Sequence, residues 1–298
     1  MKKSVSLLLA GLMLCGALAG CGGNDSADAN NAAEGGDAAA SGASGAITVI
    51  SREDGSGTRS AFVELTGVED DNGDNTTVDA EIANKTDVVL TSVAGNESSI
   101  GYVSLGSLND TVKAVKVDGV EATTDNVKSG DYKLSRPFNI ATKGEPTGVA
   151  KDFINFILSA DGQAIVEEEG YITVNDEAEA FTTDGSEGQI AVGGSSSVSP
   201  VMEKLIEAYQ AVNPKAKIEL QTSDSTSGMT GAIDGTFAIG MASRELKDEE
   251  KAELTGTSIA LDGIAVVVNP NNTVEDLTMD QIKSIYIGET TDWADVAA

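Results

Sequence analysis

Three times along this chain a short apolar run leads into a turn crowded with glycine and hydroxyl side chains, and the turn opens a helical repeat. Ile47–Ile50 runs into "SREDGSGTR" (Ser51 to Arg59), with Ala61, Phe62 and Leu65 at helical spacing beyond it. Ile190–Val192 runs into "GGSSSVSP" (Gly193 to Pro200), followed by Val201, Leu205, Ala208, Tyr209 and Val212. Ile218–Leu220 runs into "TSDSTSGMTGAI" (Thr222 to Ile233). Strands that alternate with helices through such turns place the chain among α/β proteins.

The rest of the pattern agrees. Val88–Leu90, Ile100–Val103, Phe237–Met241 and the apolar run Ile264–Val268 read as strands, and Val112–Val117 as an alternating one. Phe138–Ala141 reads as extended. Helices are expected over Thr124–Ser129, Lys151–Ser159, Gly162–Glu169 and Thr278–Tyr286. Ser199 is the expected N-cap of the second junction, with Pro200 at the first helical position, where its missing N–H costs nothing. Glu69–Asp74 and the polar stretch 175–188 read as loops.

The junctions also carry the chemistry. The N-terminal end of a helix presents unpaired N–H groups and about half a positive charge, which together favour an anion. Each turn adds Ser or Thr hydroxyls, and Arg52 and Arg244 add planar, fork-shaped donors suited to phosphate or carboxylate. One such turn is an ordinary helix cap, whereas three converging can enclose a small oxyanion without a metal. Some eight to ten hydrogen bonds to a charged guest, at about 1.5–3 kcal/mol each, leave roughly −8 kcal/mol, a micromolar site, after the costs of association.

Composition removes other chemistries. There is no histidine, which excludes Ser-His-Asp, Cys-His and zinc–histidine centres. Neither a Walker nor a dinucleotide glycine motif is present, and no serine sits in an S-x-x-K or G-x-S-x-G context, so the chain is read as a non-enzyme without cofactor. With 19 basic against 48 acidic residues, the chain lacks the basic footprint that nucleic acid requires.

The first residues read as a targeting segment, 1–20: Lys2 and Lys3, an apolar run from Val5 to Leu18, then Leu18-Ala19-Gly20-Cys21, which is similar to a bacterial lipobox. Cys21 is then the lipidated first residue of the mature protein, and 21–45 is a flexible tether rich in Gly, Ala, Ser, Asn and Asp. The expected location is the extracytoplasmic face of the cell membrane, held by the lipid.

Taken together, "GGSSSVSPVMEKL", "SDSTSGMTGAI", "GMASREL", "ALDGIAVVVNP" and "SREDGSGTR" resemble the phosphate-binding proteins of ABC importers, over nearly all of residues 46–298. The resemblance implies a two-lobed periplasmic-binding-protein-like fold of type II, with a hinge and a ligand cleft between the lobes. It implies a monomer that captures inorganic phosphate and delivers it to an ABC permease. Carried over by motif, the phosphate-binding residues are Ser196, Ser197, Thr226, Ser227, Ser243, Arg52, Ser56, Gly57 and Thr58, with Arg244 in support and Asp54 orienting Arg52 through an ion pair. Other readings are a binding protein for sulfate or molybdate, a sensory or adhesion domain, and a surface phosphatase.

This sequence departs from the family pattern twice. The aspartate that many relatives place near Ser243 or Arg244 is missing, leaving Asp54, Asp224 or Asp262 as substitutes. The order of the halves is also exchanged, as in a circular permutation or a fragment of a tandem protein. If it is a permutation, one lobe spans 136–264, the other joins 46–135 to 265–298, and Gly45 lies near Ala298.

Overall fold

A computed structural model describes residues 45–296; the expected signal segment, Cys21, nearly all of the tether, and Ala298 lie outside them. Along the chain run β1 (Thr48–Arg52), α1 (Gly57–Thr66), β2 (Glu69–Asp70), β3 (Gly73–Asp74), β4 (Glu81–Ala83), α2 (Thr86–Gly95) and β5 (Ser99–Ser104). Then come β6 (Lys113–Ala114), β7 (Lys116–Val117), α3 (Thr124–Ser129), β8 (Ser135–Thr142), α4 (Gly148–Leu158) and α5 (Ala160–Glu168). The third stretch holds β9 (Gly188–Ser195), α6 (Ser199–Val212), β10 (Ala216–Ser223), α7 (Ser225–Asp234), β11 (Ile239–Ala242), α8 (Asp248–Lys251), β12 (Thr255–Val268), β13 (Asp276–Leu277) and α9 (Met279–Tyr286).

Eight of these strands form one path, β10-β9-β11-β8-β12-β5-β1-β4, with β6 added against β12. At one end β10, β9 and β11 are parallel; at the other β5, β1 and β4 are parallel. Between them the long antiparallel pair β8 and β12 joins the two parallel sets. Strand β12 pairs with β8 as far as Gly263 and with β5 from Ile264 onward, so a single strand serves both.

The core follows the same division. One set of buried residues runs from Val49 to Leu134 and resumes at Ile264, with Ile172 as a visitor; another runs from Phe138 to Ala260. Along β12, Ile264, Val266 and Val268 enter one cluster, while Ala265 and Val267 enter the cluster on the opposite face. Successive side chains of a strand point to opposite faces, so a strand covered on both sides must be apolar throughout. In the first of these cores Phe62 of α1 stacks on Tyr102 of β5 with ring centroids 4.0 Å apart.

Several local expectations need correction. Val88–Leu90 is helix rather than strand, lying inside α2, where Val89, Leu90 and Val93 form its buried side. Burial at helical spacing outweighs the strand preference of β-branched residues. Val112–Val117 is broken into β6 and β7, because β6 pairs with β12 and β7 turns to pair with β13. The expected loop at Glu69–Asp74 contains the β2–β3 hairpin. Ser199 is the first helical residue of α6 rather than its cap, and its hydroxyl donates back to the Ser195 carbonyl.

Gly45 meets the last turn of the chain. Its carbonyl accepts from the Trp293 amide at 3.0 Å, and Ala46 bridges Asp292. Trp293 is buried and donates its indole N–H to the Ser98 carbonyl.

Candidate functional site

Strand β1 carries Arg52 to the edge of its sheet. Behind it the Tyr102 hydroxyl accepts from the Arg52 amide; burial pushes that phenol up to about 12, so it stays neutral. The chain then turns through Asp54 and Gly55, and Ser56 caps α1 by accepting from the Arg59 amide. That geometry leaves Gly57 and Thr58 as the first helical residues, both buried.

The second junction, after β9, presents Ser195, Ser196 and Ser197 at the start of α6. Gly194 has φ of 137°, which only glycine adopts without strain, and its Cα packs against the backbone of Gly228. The third junction is capped by Asp224, whose carboxylate accepts from the Ser227 amide at 2.8 Å. Ser225 thereby becomes the first residue of α7 and points inward; its hydroxyl accepts from the Ser243 amide at 3.1 Å. Ser243 and Arg244 follow β11 directly. All of these turns lie at the carboxyl ends of parallel strands, where α/β sheets place their ligands.

The structure brings most of the sequence-derived residues into one buried group of hydroxyls. Thr58 Oγ1 lies 2.9 Å from Ser197 Oγ, Arg52 Nη2 donates to Ser196 Oγ at 3.1 Å, and Ser195 Oγ donates to Ser243 Oγ at 2.9 Å. Gly57 faces the same group; a Cβ placed there would lie 2.3 Å from Ser225 Oγ and 2.8 Å from Ser243 Oγ. Thr226 joins the two sides through its amide, which donates to the Gly55 carbonyl at 3.1 Å. Ser56 is buried at the rim as the α1 cap.

Two placements differ from expectation. Ser227 is exposed and donates its hydroxyl to Asp224, so it stands outside the group that its neighbour Ser225 enters. Asp54 does not hold Arg52: its side chain is 99% exposed and pairs with Arg59 at 2.9 Å. The carboxylate that holds Arg52 is Glu53, which takes Nε and Nη2 at 2.8 Å each in a two-pronged contact. The turn at Asp54–Gly55 faces Asp54 outward, and Arg59, within the first turn of α1, reaches back to it.

Sequence reasoning also missed Thr86, whose hydroxyl approaches Ser196 and Ser197 at 3.4 and 3.3 Å. The strand expectation for Val88–Leu90 hid the helix start that places it there. The polar pairs behind the group were not foreseen either. Arg136 donates from Nε and Nη2 to one oxygen of Asp262, and from Nη1 to the Ser243 carbonyl at 3.1 Å. Burial pushes the Asp262 carboxyl up, against the pull of Arg136 and the Ser104 hydroxyl. Arg244 is clamped by Glu250 at 2.7 and 2.8 Å and donates to Thr226 Oγ1 at 3.3 Å. Of the three aspartates considered as substitutes, Asp54 faces solvent, Asp224 caps α7, and Asp262 sits behind Ser243 on Arg136.

Among the described residues no cluster of three or more His, Cys, Asp or Glu side chains is arranged to hold a metal, and no helix is long and apolar enough to cross a membrane. What the group offers is donors: hydroxyls, helix-start amides and one guanidinium. Chemically, that arrangement holds an oxyanion.

Comparison with known proteins agrees in kind. A family model for the PBP superfamily domain matches residues 24–161 and 179–298. The phosphate-binding protein PstS 2 of Streptococcus agalactiae serotype V is 53% identical over 262 residues, covering 86% of this chain and 89% of that protein. The crystal structure of a phosphate-binding protein of a phosphate ABC transporter from Streptococcus pneumoniae TIGR4 aligns with a TM-score of 0.70 at 45% identity, covering 85% of this chain and all of that one. The phosphate-binding protein PstS of Bacillus subtilis strain 168 is 37% identical over 134 residues, which is 44% of this chain and 42% of that protein.

Proposed function

This chain belongs to the PBP superfamily and, within it, to the phosphate-binding proteins of the PstS type, and from that premise we propose that it captures inorganic phosphate between its two halves and delivers it to an ABC importer. The observation that carries the reading is the buried group of hydroxyls drawn from both halves, with the Arg52 guanidinium donating into it. The binding residues are Arg52, Ser56, Gly57, Thr58, Ser196, Ser197, Thr226 and Ser243, with Ser225 taking the place expected of Ser227. A tetrahedral oxyanion there replaces hydroxyl–hydroxyl contacts with charge-assisted ones, which are about twice as strong.

The protein holds its guest rather than transforming it: a hydrolytic centre needs a base or metal beside a nucleophile, and the buried hydroxyls of the group pair with one another and with Arg52, while the carboxylate of Asp224 is spent on capping α7. The halves act as two lobes, 46–135 with 265–298 and 136–264, hinged where β8 and β12 cross between them. The monomer is tethered by a lipid on Cys21 to the extracytoplasmic face of the membrane.

The exchanged order of the halves is an inherited arrangement of this branch. The alignment with the Streptococcus agalactiae protein runs over most of both chains, as a shared order requires. The alignment with the Bacillus protein covers less than half of each, which an exchanged order would produce. The contact of Gly45 with Trp293 fits a join near that point in the uninterrupted order.

Titration calorimetry with phosphate and with sulfate tests the proposal. Phosphate is expected to bind in the micromolar range or tighter, and Arg52→Ala to weaken it about 100-fold or more, near the upper range for hydrogen bonds to a charged partner. Phosphate binding that is absent, or unchanged by Arg52→Ala, refutes it.

A further inference from the structure

The hydroxyl of Thr86 belongs to none of the three junctions, yet it touches one of them. It comes from the start of α2, on the β1–β5 side, and meets Ser196 and Ser197 from the β9–α6 turn. Those two serines are the partners of Arg52 and Thr58. Thr86 therefore links Ser196 to Ser197, and each of these three hydroxyls has a neighbour from the opposite half. It is only 4% exposed, although the residues on either side, Lys85 and Asp87, are exposed.

Charges of both signs surround these hydroxyls: Glu53 takes two donors of Arg52, and Asp87 lies in the first turn of α2. Helix α2 begins at Lys85 with no side-chain cap, and α6 begins at Val198 with none, whereas α1 and α7 are capped by their own Ser56 and Asp224. A lysine at the cap position is the wrong sign for the positive end of a helix. Two uncapped helix starts thus approach each other through Thr86, Ser196 and Ser197, with the Arg52 guanidinium donating to one of the same hydroxyls. An anion between them relieves what they impose on one another. Lys85, Thr86 and Ser196, together with the carboxylates of Asp87 and Glu203, also line a pocket of about 300 Å³ that opens beside the serines, so the α2 start stands at the entrance as well as in the group.

We propose that Thr86 is a further phosphate-binding residue, donating its hydroxyl to the oxyanion from the half opposite Ser196 and Ser197 and so reporting closure of the cleft. This rests on the phosphate reading above. Because Thr86 meets the serines only when the halves are together, its contribution falls on release rather than capture.

The test uses inorganic phosphate with the wild type, Thr86→Val and Thr86→Ser, measuring Kd by calorimetry and release by stopped-flow displacement. Thr86→Val is expected to raise Kd about tenfold or more, the order of one hydrogen bond to a charged group, mostly through faster release. Thr86→Ser is expected to restore Kd to within about threefold, and the melting temperatures to stay together. Thr86→Ala is the second variant, measured in the same way should the valine form fail to fold. Wild-type binding with an unchanged Kd in the valine or alanine form overturns this inference and leaves the phosphate reading standing. A Kd raised equally in Thr86→Ser, or raised only through slower capture, also overturns it. A wild type that takes up no phosphate overturns both.

Discussion

Replacing Gly57 with alanine separates binding from folding more sharply than any other single change. The added Cβ would lie 2.3 Å from Ser225 Oγ, 2.8 Å from Ser243 Oγ and 3.1 Å from Ser225 Cβ, where ordinary contact begins at 3.4 Å. Turning the Ser225 hydroxyl away does not clear the clash, because its own Cβ remains too near and its Oγ would lose the Ser243 amide. The halves must therefore part by about 1 Å at this point. Thr58 and Ser197, now 2.9 Å apart, would move to about 4 Å, beyond hydrogen-bonding reach. A phosphate spanning the gap would lose two or more contacts of about 1.5–3 kcal/mol each. At 1.4 kcal/mol per tenfold, that is roughly 10²–10⁴ in Kd. The fold should not suffer: Gly57 opens α1 and is not among the glycines with positive φ, and alanine in a helix is favoured over glycine by about 0.5–1 kcal/mol. Calorimetry with phosphate and thermal melts of both proteins are the assay. A variant that binds phosphate as the wild type does would refute the packing argument. A variant that loses binding only because it unfolds would refute the claim that Gly57 serves the site.

Ser225→Ala should weaken phosphate binding about tenfold, whereas Ser227→Ala should change it less than about twofold, since one hydroxyl faces the group and the other its own helix cap; calorimetry on the pair decides which serine binds. Arg136→Met leaves Asp262 buried without its partner and should cost about 3–5 kcal/mol in urea unfolding, with most of the loss recovered in the double variant Arg136→Met/Asp262→Leu. A single variant as stable as the wild type would show that the pair does not tie β8 to β12. Burial pushes the Glu250 carboxyl up, but the hydrogen bonds from Arg244 and the Lys247 amide outweigh it, holding the group below its ordinary value of 4.5. A lowered carboxylate contributes stability that is present above its unfolded value and lost as pH falls through the folded one. The melting temperature of Glu250→Gln should therefore lie below that of the wild type at pH 7, and the gap should close as both are taken below about pH 4.

The strand–turn–helix junctions were legible because each is written in adjacent residues: an apolar run, small hydroxyl residues, then helical spacing. Helix α3 carries its stop at Gly130, in the left-handed region, and was readable for the same reason. Thr86 was not legible, since Val88–Leu90 has the composition of a strand and only burial against β5 and β12 makes it helix. The partner of Arg52 was misplaced for a related reason. Sequence offers Glu53 and Asp54 equally, and the choice depends on which way the turn at Gly55 faces them.

The sequence by itself determined the three strand–turn–helix junctions, the absence of imidazole chemistry and a supply of anion donors, because periodicity, residue type and composition are local properties. The tertiary structure decided which hydroxyls meet. Ser196 and Ser197 lie more than a hundred residues from Arg52, Thr58 and Thr86, and contacts of about 3 Å between them follow only from how β8 and β12 join the two parallel sets. Hydrogen bonds reach only that far, so no spacing along the chain can specify them.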